Sequence, residues 1–449
     1  SDGLIYTFNL NKDAKWSNGD PVTADDFVWS WKRILTASLG SQYPDMLYYV
    51  KNAEKYHLGE IDDFSKVGVK AIDDKTLEVE LRSPTSFFIK LLHHYSTYPV
   101  HKDTVLKFGP IDDRYGEWTR PGNFVCNGPF QLKSWELNKK IVVERNPYYW
   151  DADVVKLNEM HFYPVQNEST EDRMFRAGQL HVTNVVPLEK CPVYIEENNP
   201  NLRIEPYMGT YFYRTNTTID ALKDKRVRKA LAFAINRKQV VERVSKCGQQ
   251  PAYSFTPPGS DGYYPDTSIP FNPDLAKQLL SDAGYPNGDG FPKLEILFNT
   301  QEGHRKIALA IQQMWQENLG IEVELVNQDW KVYLSRERVG DFQISRAGWI
   351  GDYEDPNTFL DTLRPNRGNN KTGWENQKYD ELLSLANRTI DRDKRYEILN
   401  EAEKLLIDEM PIIPIYTYVR QYQLSNDVKG WYPNFQDIHH PKYIYLERD

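Results

Sequence analysis

From about residue 220 to residue 420 the chain alternates between helical and extended patterning, and this alternation limits its fold more than any single motif. The stretch "DALKDKRVRKALAFAINRKQVVERV" carries Val227, Leu231, Ala234 and Ile235 on one helical face, which predicts one long helix. A turn-rich passage, "PAYSFTPPGSDGYYPDTSIPFNP", separates it from a helix–loop–strand unit, "DLAKQLLSDAGYPNGDGFPKLEILFN". A helix from about Arg305 to Leu319 follows, with Ile307, Ile311, Met314 and Trp315 on one face. The strand-like pieces "IEVELVNQDW" and "IIPIYTYVRQYQL" come after it. Strands alternating with helices of this length read as βαβ units, so residues 210–420 are expected to form an α/β domain.

The first half is patterned differently. In "GLIYTFNLNKDAKWSNGDPVTADDFVWSWKRIL", Leu4, Tyr6 and Phe8 alternate as in a strand, and Asn18-Gly19-Asp20-Pro21 breaks it. Thr23, with Asp26 three positions on, resembles a capping box, and Phe27, Trp31 and Ile34 continue at helical spacing. Two more strands, "DKTLEVELRSPTSFF" and "KKIVVERNPYYW", end at Ser-Pro and Asn-Pro, where the residue before proline resists helix. No exact short period recurs, which excludes a solenoid. At 449 residues the chain exceeds the ~250–300 at which a single core stops growing, so two or three domains are expected.

Charge and motifs exclude most chemistries. The net charge of −9 arises from 55 basic and 64 acidic residues dispersed along the chain without a basic block, so nucleic acid is not an expected partner. No run approaches the ~18 apolar residues of a membrane span, and the start "SDGLIYTFNL" lacks the regions of a signal peptide. Cys126, Cys191 and Cys247 are too few and too far apart for a disulfide framework or a CxxC metal site. They read as mostly buried thiols, with room for one disulfide if the protein works outside the cytoplasm. The nine histidines offer only the adjacent pairs His93-His94 and His439-His440, whose side chains point apart, so no metal site is expected. GxSxG, GxxxxGK[ST], HExxH and a strand-linked GxGxxG are all missing, and no catalytic residue or cofactor is expected. What remains, aromatics with Arg and Asp on loops of a multi-domain frame, suits binding.

Five phrases carry a resemblance: "KWSNGDPVTADDFVWSWKR" at 15–33, "NGPF" at 127–130, "ERNPYYW" at 144–150, "DKRVRKALAFAINR" at 224–237 and "RAGWIGDYEDPNTFL" at 346–360. In this order, and over nearly the whole chain, they resemble the extracytoplasmic solute-binding proteins of peptide ABC importers, the oligopeptide-binding type of bacterial solute-binding family 5. The resemblance implies an α/β, periplasmic-binding-protein-like (type II, cluster C) two-lobed hinge fold with an extra accessory domain. It implies an accessory domain at about 1–105, one lobe from 106–208 plus 420–449, and a second lobe at 209–419. It also implies that the sequence starts late, lacking an N-terminal segment of the first lobe. The implied partners are a peptide ligand and a membrane permease, the implied state a monomer. The implied place is the periplasm, or an extracytoplasmic lipoprotein in a Gram-positive organism.

The same resemblance assigns the ligand's ends. A peptide at neutral pH is charged at both termini whatever its side chains. Asp352, in the GWxxDYxxP phrase, matches the family's partner of the α-ammonium. Arg346, six residues earlier, matches the carboxylate-gripping arginine, whose planar fork holds a carboxylate bidentately. Arg336, six after Trp330, matches a second carboxylate-binding arginine, and His304, ahead of the helix expected from Arg305, matches a third group used for longer ligands. Trp330 and Trp349 would give flat apolar walls. A narrower ligand such as a murein peptide, a dipeptide or a nickel chelate fits the same fold. From other classes, a secreted carbohydrate-active enzyme or a non-transport chaperone or sensor is the alternative.

Overall fold

The structure is a computed structural model that describes residues 3–365 and 369–447. The alternating start forms a small antiparallel sheet in the order β1-β3-β2, from β1 (Ile5–Asn9), β2 (Val69–Asp73) and β3 (Thr76–Glu80). The helix Ala24–Leu35 buries Ala24, Trp31 and Leu35 against Leu77 and Val79 of this sheet. Its start is the patterned one: the Asp26 carboxylate accepts the Thr23 backbone N–H at 2.8 Å and the Trp16 indole N–H at 3.1 Å. A second antiparallel sheet, in the order β4-β5-β6, joins β4 (Phe130–Glu136), β5 (Lys140–Arg145) and β6 (Glu159–Phe162).

The α/β region is built on a mixed sheet in the order β10-β9-β11-β7-β12-β8. Its strands are β7 (Leu202–Thr215), β8 (Gln250–Pro251), β9 (Leu294–Asn299), β10 (Val323–Gln328), β11 (Ile344–Ile350) and β12 (Ile412–Gln423). β9 and β10 run parallel across the helix Glu302–Leu319, the expected βαβ unit. One face packs Ile296, Ile307, Ile311 and Trp315; the other packs Phe212, Phe359, Leu383 and Leu406, the last two from the helices Gln377–Arg388 and Arg392–Glu409. Tyrosine at alternate positions, Tyr211 and Tyr213 on β7 and Tyr416 and Tyr418 on β12, puts phenols on one side of the sheet.

Two expectations change. The long helix from 220 is broken into Asp220–Lys223, Lys225–Phe233, Arg237–Gln239 and a π-helical turn, Val240–Ser245. Asp224 and Asn236 interrupt it, because their side chains accept the Arg226 and Gln239 backbone N–H groups as N-caps. The expected face is nevertheless buried: Val227, Leu231, Ala234 and Ile235 all lie in the core. The next helix starts at Glu302, three residues early, which puts His304 inside its first turn. Cys191 and Cys247 form a disulfide across 56 residues, and Cys126 is free. Closing a loop of that length is worth about 4 kcal/mol in the chain-entropy account.

Candidate ligand-binding site

The stretch "RAGWIGDYEDPNTF" is β11 and the turn that leaves it, and its composition follows from what surrounds it. A Cβ on Gly348 would lie 2.5 Å from the Tyr418 hydroxyl, and one on Gly351 2.1 Å from Met208 Cε, so a larger residue at either would have to push that side chain aside. The turn is then pinned from several sides. The Asp352 N–H donates to Thr358 Oγ1 at 2.9 Å and the Trp349 indole to the Thr358 carbonyl at 2.8 Å. Asp355 accepts both arms of the Arg395 guanidinium, at 2.6 and 2.8 Å, and Asn357 donates to the Tyr49 and Tyr353 hydroxyls at 3.0 Å.

This scaffold presents Asp352 to a cavity of about 20 Å³, lined also by Trp349, Thr358, Asp45 and Tyr49. Asp352 Oδ2 is buried without a hydrogen-bond partner, and Oδ1 lies 3.6 Å from His94 Nε2, itself buried and unpartnered. The Ser96 N–H donates to His94 Nδ1, so a neutral ring carries its proton on Nε2, facing the acid. Burial, with the charge of Asp45, pushes the Asp352 carboxyl up to about 7, while burial pushes His94 down to about 4. Among the described residues the acid therefore has no charged cation against it.

Arg346, on β11, lacks an anion. Its guanidinium donates to the Tyr418 hydroxyl at 2.7 Å and to Asn299 Oδ1 at 3.4 Å, and sits 4.8 Å over the Tyr211 ring. Nε is buried without a partner, and among the described residues Arg346 makes no ion pair. Burial opposes its charge, but the surrounding phenols, Tyr418 first, hold the guanidinium above its ordinary value. Beside it His304, 7% exposed and 5.6 Å from the Tyr211 ring, is kept neutral by burial and by the Arg346 charge. Both line a cavity of about 110 Å³ with Tyr418, Gln421, Gln301 and Glu168.

Between the two cavities runs an unpaired strand edge. β11 pairs with β7 along its whole length but with β9 only at Ile344 and Ser345, leaving Arg346–Ile350 without a strand on that side among the described residues. Arg336 and Trp330 lie apart from both cavities. Arg336 is paired with Glu295 at 2.8 Å and Asp341 at 2.9 Å, beside a separate depression of about 430 Å³. The buried face of its helix, Trp330–Val339, is the Tyr333 and Glu337 face, and Arg336 points to the side of it. Trp330 is 55% exposed and stacks on Tyr333. Sequence reading missed His94, Asp45, Glu168 and Tyr418; only Tyr418 had a signal, the alternating tyrosines of "IYTYVRQYQ".

Two cavities at the ends of an open strand edge, lined from distant parts of the chain, make a candidate site for an extended ligand in a multi-domain binding fold. The model described as "Bacterial extracellular solute-binding proteins, family 5 Middle" matches residues 1–371, and the chain belongs to that family. It is 38% identical over 445 residues, 96% of this chain and 79% of that protein, to the oligopeptide-binding protein OppA of Bacillus subtilis. Its structure is similar to that of the Escherichia coli murein tripeptide binding protein MppA, at a TM-score of 0.93 and 35% identity, covering 100% of this chain and 88% of that one. Haemophilus influenzae OppA in complex with RPPGFSPFR matches at 0.90 and 33% identity, covering 99% and 88%. The unliganded open form of MppA, covering 99% and 87% at 36% identity, matches at only 0.71, so this structure departs from the open arrangement. Gln301 Nε2 donates to Glu168 Oε1 at 2.9 Å across 133 residues of sequence, and both line the cavity that holds Arg346.

Proposed function

We propose that this chain binds peptides between its two lobes and delivers them to the permease of an ABC importer. One observation carries the reading: an acid and a guanidinium, neither facing an opposite charge among the described residues, stand at the two ends of a strand edge that no described strand pairs. A peptide supplies what each lacks, an ammonium for Asp352 and a carboxylate for Arg346. Its extended backbone can pair with Arg346–Ile350 as an added strand, which gives affinity without reading sequence. Trp349 walls the amine end and His304 the carboxylate end; Arg336 and Trp330 have no part in the contacts of a short ligand. The lobes would be 106–208 with 420–449, and 209–419, with 1–105 as the accessory domain. Register shifts in the β12–β7 pair between Pro414 and Tyr416 and between Thr417 and Val419 support a hinge there. The reading assigns the protein no reaction and no cofactor, and takes it as a monomer. The disulfide supports an extracytoplasmic site, the periplasm or a membrane-anchored lipoprotein. Among the described residues no helix is long and apolar enough to cross a membrane. Native mass spectrometry of undenatured protein tests the ligand class: co-purifying peptide masses support it, and a sugar or a metal chelate in their place would not. The same masses separate general peptides from a single murein peptide or dipeptide.

Three results are expected. Saturating tripeptide should reduce the radius of gyration in solution scattering, since the lobes must close to exclude water from the ligand; no change would count against closure. Arg346→Lys should weaken tripeptide binding, because a point charge replaces a fork, and amidating the peptide's C-terminus should weaken wild-type binding similarly. Equal calorimetric affinity for amide and acid would remove the role of Arg346. The third concerns pH. Closing on an empty cleft moves the Asp352 carboxyl from the ordinary carboxylate range to about 7, so empty closure takes up a proton. The empty closed form is therefore favoured in acid and loses favour as pH rises through that window. Scattering of the empty chain should show it more open at about pH 7.5 than at about pH 5.5, and Asp352→Asn should flatten the difference.

A further inference from the structure

The cavity at the carboxylate end contains a charge that gripping a carboxylate does not need. Glu168, the first residue of the helix Glu168–Arg176, lines it together with Arg346 and His304. An acid beside a carboxylate-binding guanidinium should work against the ligand, since like charges repel. Yet Glu168 is not there to neutralise Arg346: among the described residues it makes no ion pair, and its only hydrogen bond is the one it accepts from Gln301 at 2.9 Å. Burial pushes its carboxyl up, Glu189 and Glu302 add to that, and the nearby Lys306 is itself engaged with Glu302 at 2.7 Å.

The rest of the cavity asks for the same missing group. Among the described residues Gln421 Oε1 is buried without a donor, and His304 beside it is more than nine-tenths buried. Val186, Leu188 and Ile307 form an apolar wall beside these polar atoms. A volume of about 110 Å³ is on the order of four waters at ~30 Å³ each. That suits an aliphatic stem with a small charged head better than an aromatic ring, and such stems pack along apolar walls with the head on a polar partner.

Building on the peptide reading, we propose that Glu168 makes this cavity a subsite for a cationic side chain on the ligand's C-terminal residue, so that peptides ending in lysine or a similar ω-amino acid are preferred. Arg346 takes the terminal carboxylate and Glu168 the side-chain ammonium, so the two opposite charges of the cavity each meet one of the ligand's.

Calorimetry on the full chain with Ala-Ala-Lys and Ala-Ala-norleucine, equal in stem and different in charge, tests this. The wild type should bind the lysine peptide about tenfold or more tightly, the scale of one charge-assisted hydrogen bond. Glu168→Gln keeps an acceptor for Gln301 and should erase the preference, with the norleucine peptide bound as well or somewhat better because a like charge beside its carboxylate is gone. Acetylating the lysine Nε should erase it in the unaltered protein, which keeps the test valid if the variant folds poorly. Equal wild-type affinities for the two peptides, or a lysine preference that survives Glu168→Gln, would overturn the subsite while leaving peptide binding in place. Failure of both peptides to bind the wild type would overturn the peptide reading and the subsite together.

Discussion

Asp352→Asn should weaken the binding of a free tripeptide tens- to thousands-fold. The substitution is nearly isosteric, so the shape of the cavity is kept while the charge is lost. Asp352 lies in a cavity of about 20 Å³ with one oxygen unpartnered, and its carboxyl is pushed up to about 7 by burial. An ammonium placed there restores the ionised form and is itself desolvated. Removing one member of such a pair leaves the other buried alone, at a cost on the order of 2–5 kcal/mol. His94 cannot stand in for the lost charge, because burial pushes it down to about 4 and its ring is neutral near pH 7.

The second large effect is on stability. Arg395 and Asp355 form a bidentate pair in which both side chains are almost fully buried, and Arg395 also lies 4.8 Å over the Phe87 ring. The pair sits directly beneath the turn that carries Asp352, since Asp355 also accepts the Asn357 N–H at 2.9 Å. Arg395→Leu leaves Asp355 as an uncompensated buried charge, which costs about 3–5 kcal/mol. Scanning calorimetry should show the unfolding midpoint of the α/β lobe lowered by on the order of 10 °C. The double replacement Asp355→Leu with Arg395→Met should recover most of the loss, because no charge is then stranded. An unchanged midpoint in Arg395→Leu would mean that the turn is held by its other bonds.

How much of this could be read from sequence depends on how local each cause is. The capping pair Thr23 and Asp26 and the βαβ unit around Glu302–Leu319 are local, and their patterns predicted them. The broken helix after residue 220 was also local, but apolar periodicity outweighed Asp224 and Asn236, whose caps cut the segment while leaving its buried face unchanged. The pairing of Cys191 with Cys247 was beyond reach, since three cysteines and their spacing favour no pair until the strands place them together. Asp352 and Arg346 were legible because one short phrase carries both. Their surroundings were not: Tyr418 reaches Arg346 across 72 residues, and His94 comes from beside a different sheet. Arg336 matched by its distance from Trp330, but helical periodicity turns it toward Glu295 and Asp341. Spacing along the chain could not supply that direction.

The central claim, that Asp352 holds the ligand's α-ammonium, is tested most directly by calorimetry on four combinations: wild type and Asp352→Asn, each with a free and an N-acetylated tripeptide. Acetylation removes the ammonium and Asp352→Asn its partner, so either change alone should cause a loss of the same order, and the two together little more than one. Acetylated peptide binding the wild type as tightly as free peptide, or losses that simply add, would contradict it.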